Sequence, residues 1–448
     1  MFTKLSSLWD RIRGSLWFVP SLMAAAAVVL AFTSLWADHH LIGKHPSGPF
    51  AWLYGGGADG ARDVLSTVAS SMITVAGVIF SITVVALTLA SQQFGPRLLR
   101  NFMRDPGNQI VLGTFISVHL YCLIILRAVR TEEAGGFVPH LSVSVTLLLA
   151  MVSAGVLIYF FHHATSSIRA SSVIAAVAAD LDEAIDRLFP ERVQRPGPEP
   201  VPPPDTAAPI RPEIDRDGRR IVAPTSGYLQ ALDTDCLGTV ARADDLIIRV
   251  DCRPGDFLTC GTAVARAHPA ERVTEAAVSR LQSAFILGDE RTVVQDVRFP
   301  AHQLTEMAVR ALSPGTNDPS TALACIDRLG AAFIRFSRRR VPSPYRYDED
   351  HRLRLILAPV TLAELIEETF SPIRQYGRTS APVTMRLLDA VITAAPHVTS
   401  PDARAALHAQ AVMVHRGSLE GLPEERDRRE VLKRYQQAQE ALTNSMAA

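Results

Sequence analysis

The chain has 448 residues, of which 48% are hydrophobic, and its mean hydropathy is +0.15. Soluble domains are usually less apolar, so the composition predicts a membrane portion. The 45 basic and 45 acidic residues cancel, so no overall field attracts nucleic acid and we expect no nucleic-acid partner. The five cysteines form no CxxC pair, and we expect all of them to be free thiols.

Four segments are long and apolar enough to cross a bilayer, which takes about 20 helical residues. They comprise residues 16–37, 64–90, 110–129 and 141–161. The first ends without a convincing small-residue cleavage site, so we interpret it as a span and not as a signal peptide. The sequence therefore predicts a four-helix transmembrane domain over residues 1–163, with the lipid bilayer as its partner.

The charges of the loops predict how the spans are oriented. The N-terminus, the loop between the second and third spans, and the exit from the fourth span carry most of the nearby basic residues; these are Lys4, Arg11, Arg13, Arg97, Arg100, Arg104 and Arg169. Basic residues concentrate on the cytoplasmic side of a membrane. We therefore expect a multi-pass protein of the bacterial inner membrane with both termini in the cytoplasm.

The second span carries small and hydroxyl residues at alternating steps of three and four. They are Thr67, Ser70, Thr74, Gly77, Ser81, Thr88 and Ser91, with Val84 as the exception. A period of 3.5 places these residues on one face of a helix. One interpretation is close packing against another helix, since small residues line membrane interfaces. The other is the wall of a polar pathway in a homo-oligomer.

The third span contains His119 near its middle. An ionisable residue at that depth is unfavourable and is a candidate functional residue. The alternative is a neutral histidine that is hydrogen-bonded to a hydroxyl of a neighbouring helix. We therefore group His119 with the second-span residues, as pathway-lining or packing.

The rest of the chain is predicted to be a cytoplasmic α+β portion. A helix is expected to leave the membrane over residues 164–189. Nine prolines then make residues 190–212 an extended linker. Short β-prone runs separated by turn signals predict a small β-rich unit over residues 213–269, and residues 270–448 are mostly helical in pattern.

The β-rich unit is similar in its turn pattern to the hammerhead sandwich of biotinyl and lipoyl carrier domains. That resemblance implies a small β-sandwich or barrel-like fold. The carriers attach their cofactor to a lysine, and this unit contains no lysine. Covalent carriage of biotin or lipoate is therefore excluded, and no cofactor is expected.

The sequence contains none of the common catalytic, nucleotide-binding or metal-binding motifs. We therefore predict no catalytic residues, no metal site and no enzymatic activity. The best candidate ligand site is the turn at residues 313–321, with Ser313, Asn317 and Asp318, because free amides at a helix N-terminus bind anions. The other interpretation is a structural turn in which Asp318 caps the helix that begins at Pro319.

Several motifs resemble one family of bacterial membrane proteins. They are residues 87–97 with Arg100, Asn101 and Phe102; residues 311–319 with Thr321 and Ala322; residues 226–228; residues 254–257; and residues 373–377. Together they are similar to the "predicted membrane protein" family known as domain-of-unknown-function family 2254. The resemblance implies a four-span inner-membrane protein and brings no assigned activity.

Two functions follow as hypotheses. The first is a homo-oligomeric channel or transport-type protein whose second span lines the pathway and whose cytoplasmic domain gates it. The second is a membrane-anchored cytoplasmic sensor or scaffold without transport activity, in which the turn at residues 313–321 faces a ligand or partner.

Overall fold

The structure, a computed structural model, describes residues 17–42, 54–94, 106–130, 137–167, 169–191 and 210–444. It divides into two compact units, Met1–Ser172 and Val173–Ala448. We refer to them as unit 1 and unit 2. Most of the predicted proline linker and the basic residues of the N-terminus and of the loop after the second span lie outside the described residues.

Unit 1 contains four long apolar helices: α1 (Phe18–Ala37), α2 (Ala58–Phe94), α3 (Pro106–Ala128) and α4 (His140–Ser167). Each has the length and composition needed to cross a membrane, over Phe18–His40, Ala58–Leu89, Gly107–Ala128 and His140–His163. Four candidate spans are therefore confirmed at the predicted places. Each span extends beyond its predicted bounds at one end or both, most of all the second, which begins at Ala58 and not at residue 64.

Helix α3 is the most buried of the four, and α1, α2 and α4 all pack against it. Small residues let the backbones approach closely. At Gly113 of α3, a Cβ atom would lie 3.1 Å from the Cα of Pro20 in α1. Helix α2 meets α3 through a row of mostly small residues, which are Ala61, Leu65, Ala69, Ala76 and Ile79.

Unit 2 begins with α5 (Ala170–Leu188, of which the part from Val173 belongs to unit 2) and α6 (Ile210–Asp217). The strands are β1 (Arg219–Val222), β2 (Gly227–Leu232), β3 (Ile247–Val250), β4 (Phe257–Leu258), β5 (Ala263–His268), β6 (Phe285–Gly288), β7 (Tyr345–Tyr347) and β8 (Leu353–Leu357). They form one sheet in the order β1-β5-β3-β8-β7 and a second in the order β4-β2-β6. Only the β3–β8 pair of the larger sheet is parallel.

Two helices pack with these sheets, α7 (Thr234–Ala243) and α8 (Glu275–Ser283). Their apolar faces share one core with the strands, which includes Leu237, Ile248, Val264, Leu281 and Leu355. The sequence did not predict α7. Strand β8 also brings residues from beyond the predicted boundary at residue 269 into the larger sheet. The β-sandwich or barrel arrangement stays a prediction.

The remainder of unit 2 is mostly helical, as expected. It contains α9 (Arg298–Ala311), α10 (Pro319–Ser337), α11 (Leu362–Gly377), α12 (Ala381–Ala394), α13 (Pro401–Gly421) and α14 (Glu425–Asn444). Helix α11 packs against α9 on one side and α13 on another. Its position matters because it carries Glu364, Glu368 and Arg374, which belong to the two charged regions described below.

Candidate functional site

The predicted hydroxyl face of α2 points away from the other three spans. The face that packs on α3 contains Ala69 and Ala76, whereas Thr67, Ser70, Thr74, Ser81 and Thr88 are all exposed. Successive helical residues turn by about 100°, which places the two sets on opposite sides of the helix. The hydroxyl face is thus not used for packing within the chain.

Most of these hydroxyls donate to their own helix. The Oγ1 atoms of Thr74 and Thr88 donate to the carbonyls of Ser70 and Val84 at 2.8 and 2.9 Å, and Ser81 Oγ donates to Gly77 O at 2.9 Å. Each of these oxygens keeps lone pairs that can accept a further hydrogen bond or contact a cation. Along the hydroxyl face, these hydroxyl hydrogens are thus already used in hydrogen bonds to α2 itself, while the hydroxyl oxygens stay available as acceptors.

His119 of α3 contacts the opposite side of α2 from the hydroxyl face. Its Nδ1 is 2.9 Å from the backbone carbonyl of Ala69, so in the Nδ1–H tautomer it donates across the α2–α3 contact. The partner is a carbonyl and not the hydroxyl expected from the sequence. Since Ala69 belongs to the packed face of α2, the structure separates His119 from the hydroxyl face and places it among the contacts that join two spans.

A buried carboxylate that the sequence analysis missed joins α1 to α4. Asp38 directly follows α1 and is only 2% exposed. Its carboxylate accepts from the amides of Leu141 and Ser142 at 2.8 and 2.9 Å, and from Ser142 Oγ at 2.6 Å. It therefore occupies the N-terminus of α4, where free amides and the helix dipole favour an anion.

Among the described residues, no group of three or more His, Cys, Asp or Glu side chains has metal-binding geometry. Of the histidines that follow α1, His40 stacks on Trp36, and His45 lies outside the described residues.

The turn at residues 313–321 is held by hydrogen bonds between its own residues. The Asp318 carboxylate accepts from the Thr321 amide at 3.3 Å and from Thr321 Oγ1 at 2.6 Å. It therefore caps α10, with Pro319 at the first helical position. Asn317 has a positive φ of 46°, and Ser313 Oγ lies 3.3 Å from Thr316 Oγ1. The anion-binding end of this helix is already occupied by a carboxylate of the chain.

Unit 2 contains a charged network that the sequence did not predict. It centres on Asp296, whose side chain is 1% exposed. Arg291 donates to Asp296 Oδ2 from both Nε and a terminal nitrogen, at 2.9 and 2.7 Å. The backbone amide of Arg298 donates to Oδ1 at 3.0 Å. Burial raises the pKa of the Asp296 carboxyl, against the opposing effect of Arg291 and Arg298. The carboxylate is thus buried with its partners supplied.

The network continues through His302 to α11. A terminal nitrogen of Arg291 donates to His302 Nδ1 at 3.0 Å, and His302 Nε2 donates to Glu368 at 2.8 Å. These partners fit the neutral tautomer with its proton on Nε2. The hydrogen bond from His302 lowers the pKa of Glu368. This chain of contacts ties the segment before α9 to α11.

The same network holds the Pro254-Gly255-Asp256 turn. Arg298 donates to Asp256 at 2.7 Å and to the Pro254 carbonyl at 3.2 Å, and Arg253 pairs with Glu364 at 2.9 Å. A cleft of about 580 Å³ opens beside this turn. It is lined by Asp215, Arg249, Asp251, Arg253, Asp256 and Arg298, among others. Every one of these charged side chains has a partner of opposite charge, so the cleft is electrostatically balanced.

These features define a class of protein: four apolar helices suited to a bilayer, joined in sequence to a large unit that is mostly helical with two sheets. The chain belongs to the family described as "Predicted membrane protein (DUF2254)", whose sequence model matches residues 13–393. The resemblance inferred from the motifs is therefore confirmed. The described part of those motifs lies at the end of α2, at the start of β2, at the Pro254 turn, at the α10 cap and at the end of α11, whereas residues 95–102 lie outside the described residues.

The chain is also similar to curated proteins of two mycobacteria. An uncharacterized protein of Mycobacterium bovis is 31% identical over 447 residues, which cover 96% of this chain and 81% of that protein. Uncharacterized proteins of two Mycobacterium tuberculosis strains match with the same identity and coverage. No solved structure matches this chain.

Proposed function

We propose that this chain is a homo-oligomeric channel or transport-type protein of the bacterial inner membrane, in which copies of α2 meet through their hydroxyl faces. The observation that carries the proposal is the position of this face, opposite the side of α2 that packs on α3. Within one chain, nothing among the described residues of unit 1 uses it. A second copy would be able to approach closely there because the side chains are small.

The chemistry of the hydroxyl face suits a pathway. Thr74, Ser81 and Thr88 have satisfied donors and free lone pairs. Oxygen acceptors that carry no charge stabilise a partly hydrated cation or a polar solute without trapping it. The face carries no carboxylate and no arginine, so we expect weak charge selectivity. In this proposal unit 2 controls the pathway, and neither unit has enzymatic activity.

The proposal is tested by flux through liposomes that contain the purified protein. Thr74→Val removes one hydroxyl of the face while keeping the side-chain shape, and should reduce flux of monovalent cations or alter their selectivity. Thr83→Val is the matched control, because Thr83 also donates to a carbonyl four residues earlier, at 2.8 Å, but lies on the opposite side of α2. Equal effects of the two variants, or no flux across a broad panel of ions and small solutes, would refute the pathway.

The proposed location of unit 2 is the cytoplasm, as the loop charges predict. Cys260 is an exposed thiol of unit 2, whereas burial raises the pKa of Cys252 and Cys325 to about 12 and makes them unreactive. A membrane-impermeant maleimide should therefore label Cys260 in inside-out vesicles and not in intact cells. Cys260→Ser is the control for labelling at other thiols. Labelling in intact cells would reverse the orientation.

The second candidate is a membrane-anchored sensor or scaffold. It is favoured by the satisfied donors of the hydroxyl face, because such a face is also stable against lipid. In that case substitution of Asn317 and Asp318 should abolish function, while alanine at Thr74 and Ser81 should be tolerated. The reverse pattern supports the channel.

A further inference from the structure

Three arginines of unit 2 line one cleft of about 430 Å³. Arg374 belongs to α11, Arg378 directly follows it, and Arg416 belongs to α13. The remaining wall includes apolar side chains of Leu387, Met413 and Val414. The cleft thus combines a strongly basic end with an apolar surface, and it has the size of a small-molecule site.

The arginines of this cleft differ from several other arginines of unit 2. Arg253, Arg291, Arg298 and Arg354 each pair with a carboxylate. Arg374, Arg378 and Arg416 form no ion pair with any described carboxylate, although Glu420 also lines the cleft. The Nε atom of Arg374 is buried and has no hydrogen-bond partner among the described residues.

The cluster is unfavourable without a partner. Burial lowers the pKa of Arg374, and the positive charge of Arg416 lowers it further. A hydrogen bond that is left unmade at a buried charged group costs more than one left unmade at a buried neutral group. An anion between the guanidinium groups would supply the missing acceptor and screen the repulsion, and the planar fork of arginine matches phosphate oxygens.

We propose that this cleft binds a phosphate group of a small amphipathic ligand, with the phosphate at Arg374 and Arg416 and the apolar part against Leu387 and Met413. Arg378 is exposed, as is Arg416, and it adds charge to the rim of the cleft. Two sources carry this chemistry, a soluble phosphorylated molecule and the headgroup of an anionic lipid. The proposal concerns a site in unit 2 and does not depend on whether the spans conduct.

The test uses the full chain in a phospholipid-free detergent, with pyrophosphate as the soluble probe. Short-chain phosphatidylglycerol is the lipid probe, and short-chain phosphatidylcholine, which has no net charge, is its control. Binding is measured by calorimetry and by the shift of the melting temperature. Saturable binding of pyrophosphate indicates a soluble phosphate ligand. Binding of phosphatidylglycerol alone, and not of phosphatidylcholine, indicates a lipid headgroup.

Substitutions connect the binding to the cleft. Arg374→Gln and Arg416→Gln should each weaken binding of the probe by about tenfold or more, as expected for a lost charge-assisted hydrogen bond. Arg386→Gln is the matched control, because Arg386 pairs with Asp327 on α10 at 3.2 Å and should leave binding unchanged. Arg378→Gln should weaken binding less, because the proposed phosphate lies at Arg374 and Arg416. Arg378 and Arg416 are both exposed, so neither of their substitutions disturbs the interior.

The repulsion predicts a second readout. Arg416→Gln should keep or raise the melting temperature of the ligand-free protein, because it removes a positive charge beside Arg374. A residue with only a structural role would lower it. The proposal is overturned if neither probe binds, if phosphatidylcholine binds as well as phosphatidylglycerol and pyrophosphate does not bind, or if the Arg374 and Arg416 variants bind like Arg386→Gln.

Discussion

Gly255 and Asp296 lie so close together that a Cβ atom at residue 255 would overlap the Asp296 carboxylate. Gly255 also has a φ of +96°, in the region that favours glycine. The contact joins the Pro254-Gly255-Asp256 turn to the buried pair of Asp296 and Arg291. The glycine of this turn is therefore required by a charged network in another segment, as well as by its own backbone conformation.

Gly255→Ala is expected to destabilise unit 2 by about 2 kcal/mol or more, because it adds a steric overlap with a buried carboxylate to the backbone strain. The matched control is Gly261→Ala. Gly261 has a comparable φ of +82°, but a Cβ atom there would meet nothing within 4 Å, so only the strain, about 1 kcal/mol, remains. Thermal unfolding of the full chain in detergent measures both. Equal losses would show that the contact with Asp296 contributes nothing.

Substitution of Asp318 separates the two interpretations of the turn at residues 313–321. Asp318→Ala should lower the stability of unit 2 by about 1 kcal/mol, the usual effect of removing an N-cap. Asp318→Ser should restore most of that loss, because serine is also a good cap. If function follows stability in both variants, the turn is structural. If Asp318→Ser is stable but inactive, the carboxylate has a role in binding.

The features that sequence predicted well were those with local causes. The four spans follow from length and apolarity, and the common face of Thr67, Thr74 and Ser81 follows from their spacing. The cap of α10 follows from Asp318 and Pro319, which are adjacent in the chain. Each of these needs only a single segment to be recognised.

The features that sequence missed depend on contacts between distant segments. Asp38 caps a helix that begins about a hundred residues later, and Glu368 meets His302 across 66 residues. Neither pairing has a local spacing that marks it. The basic cleft was missed for the same reason, since Arg374 and Arg416 come together only when α11 packs on α13.

Unit 2 should lose stability in acid. The pKa of Glu368 is lowered by the hydrogen bond from His302, and that of Asp186 by the hydrogen bond from Arg335. A carboxyl whose pKa is lower when folded stabilises the protein above its unfolded pKa, about 4, and this stabilisation is lost as pH falls through the folded pKa. The melting temperature should therefore be flat near neutral pH and fall below about pH 4.

In Glu368→Gln the melting temperature should be lower at neutral pH and should fall less steeply in acid. An identical acid slope in the variant would exclude Glu368 as a contributor.

Asp38 makes the corresponding prediction for unit 1. Its carboxylate accepts two backbone amides and one hydroxyl at the start of α4, and it is almost completely buried. Asp38→Asn removes the charge and replaces one carboxylate oxygen with an NH2 group. That NH2 group is a donor, so it cannot accept the hydrogen bond from the amide or hydroxyl that it would face. We expect a loss of about 2 kcal/mol or more in the free energy of unfolding, since hydrogen bonds to charged groups contribute about 1.5–3 kcal/mol each.

Asp59→Asn is the control, because Asp59 stands exposed in the first turn of α2 and should change the melting temperature little. Unfolding in detergent, followed by reactivity of the buried Cys122, measures the opening of unit 1 itself. If Asp38→Asn leaves Cys122 as protected as Asp59→Asn does, the cap on α4 is not what holds α1 to the bundle.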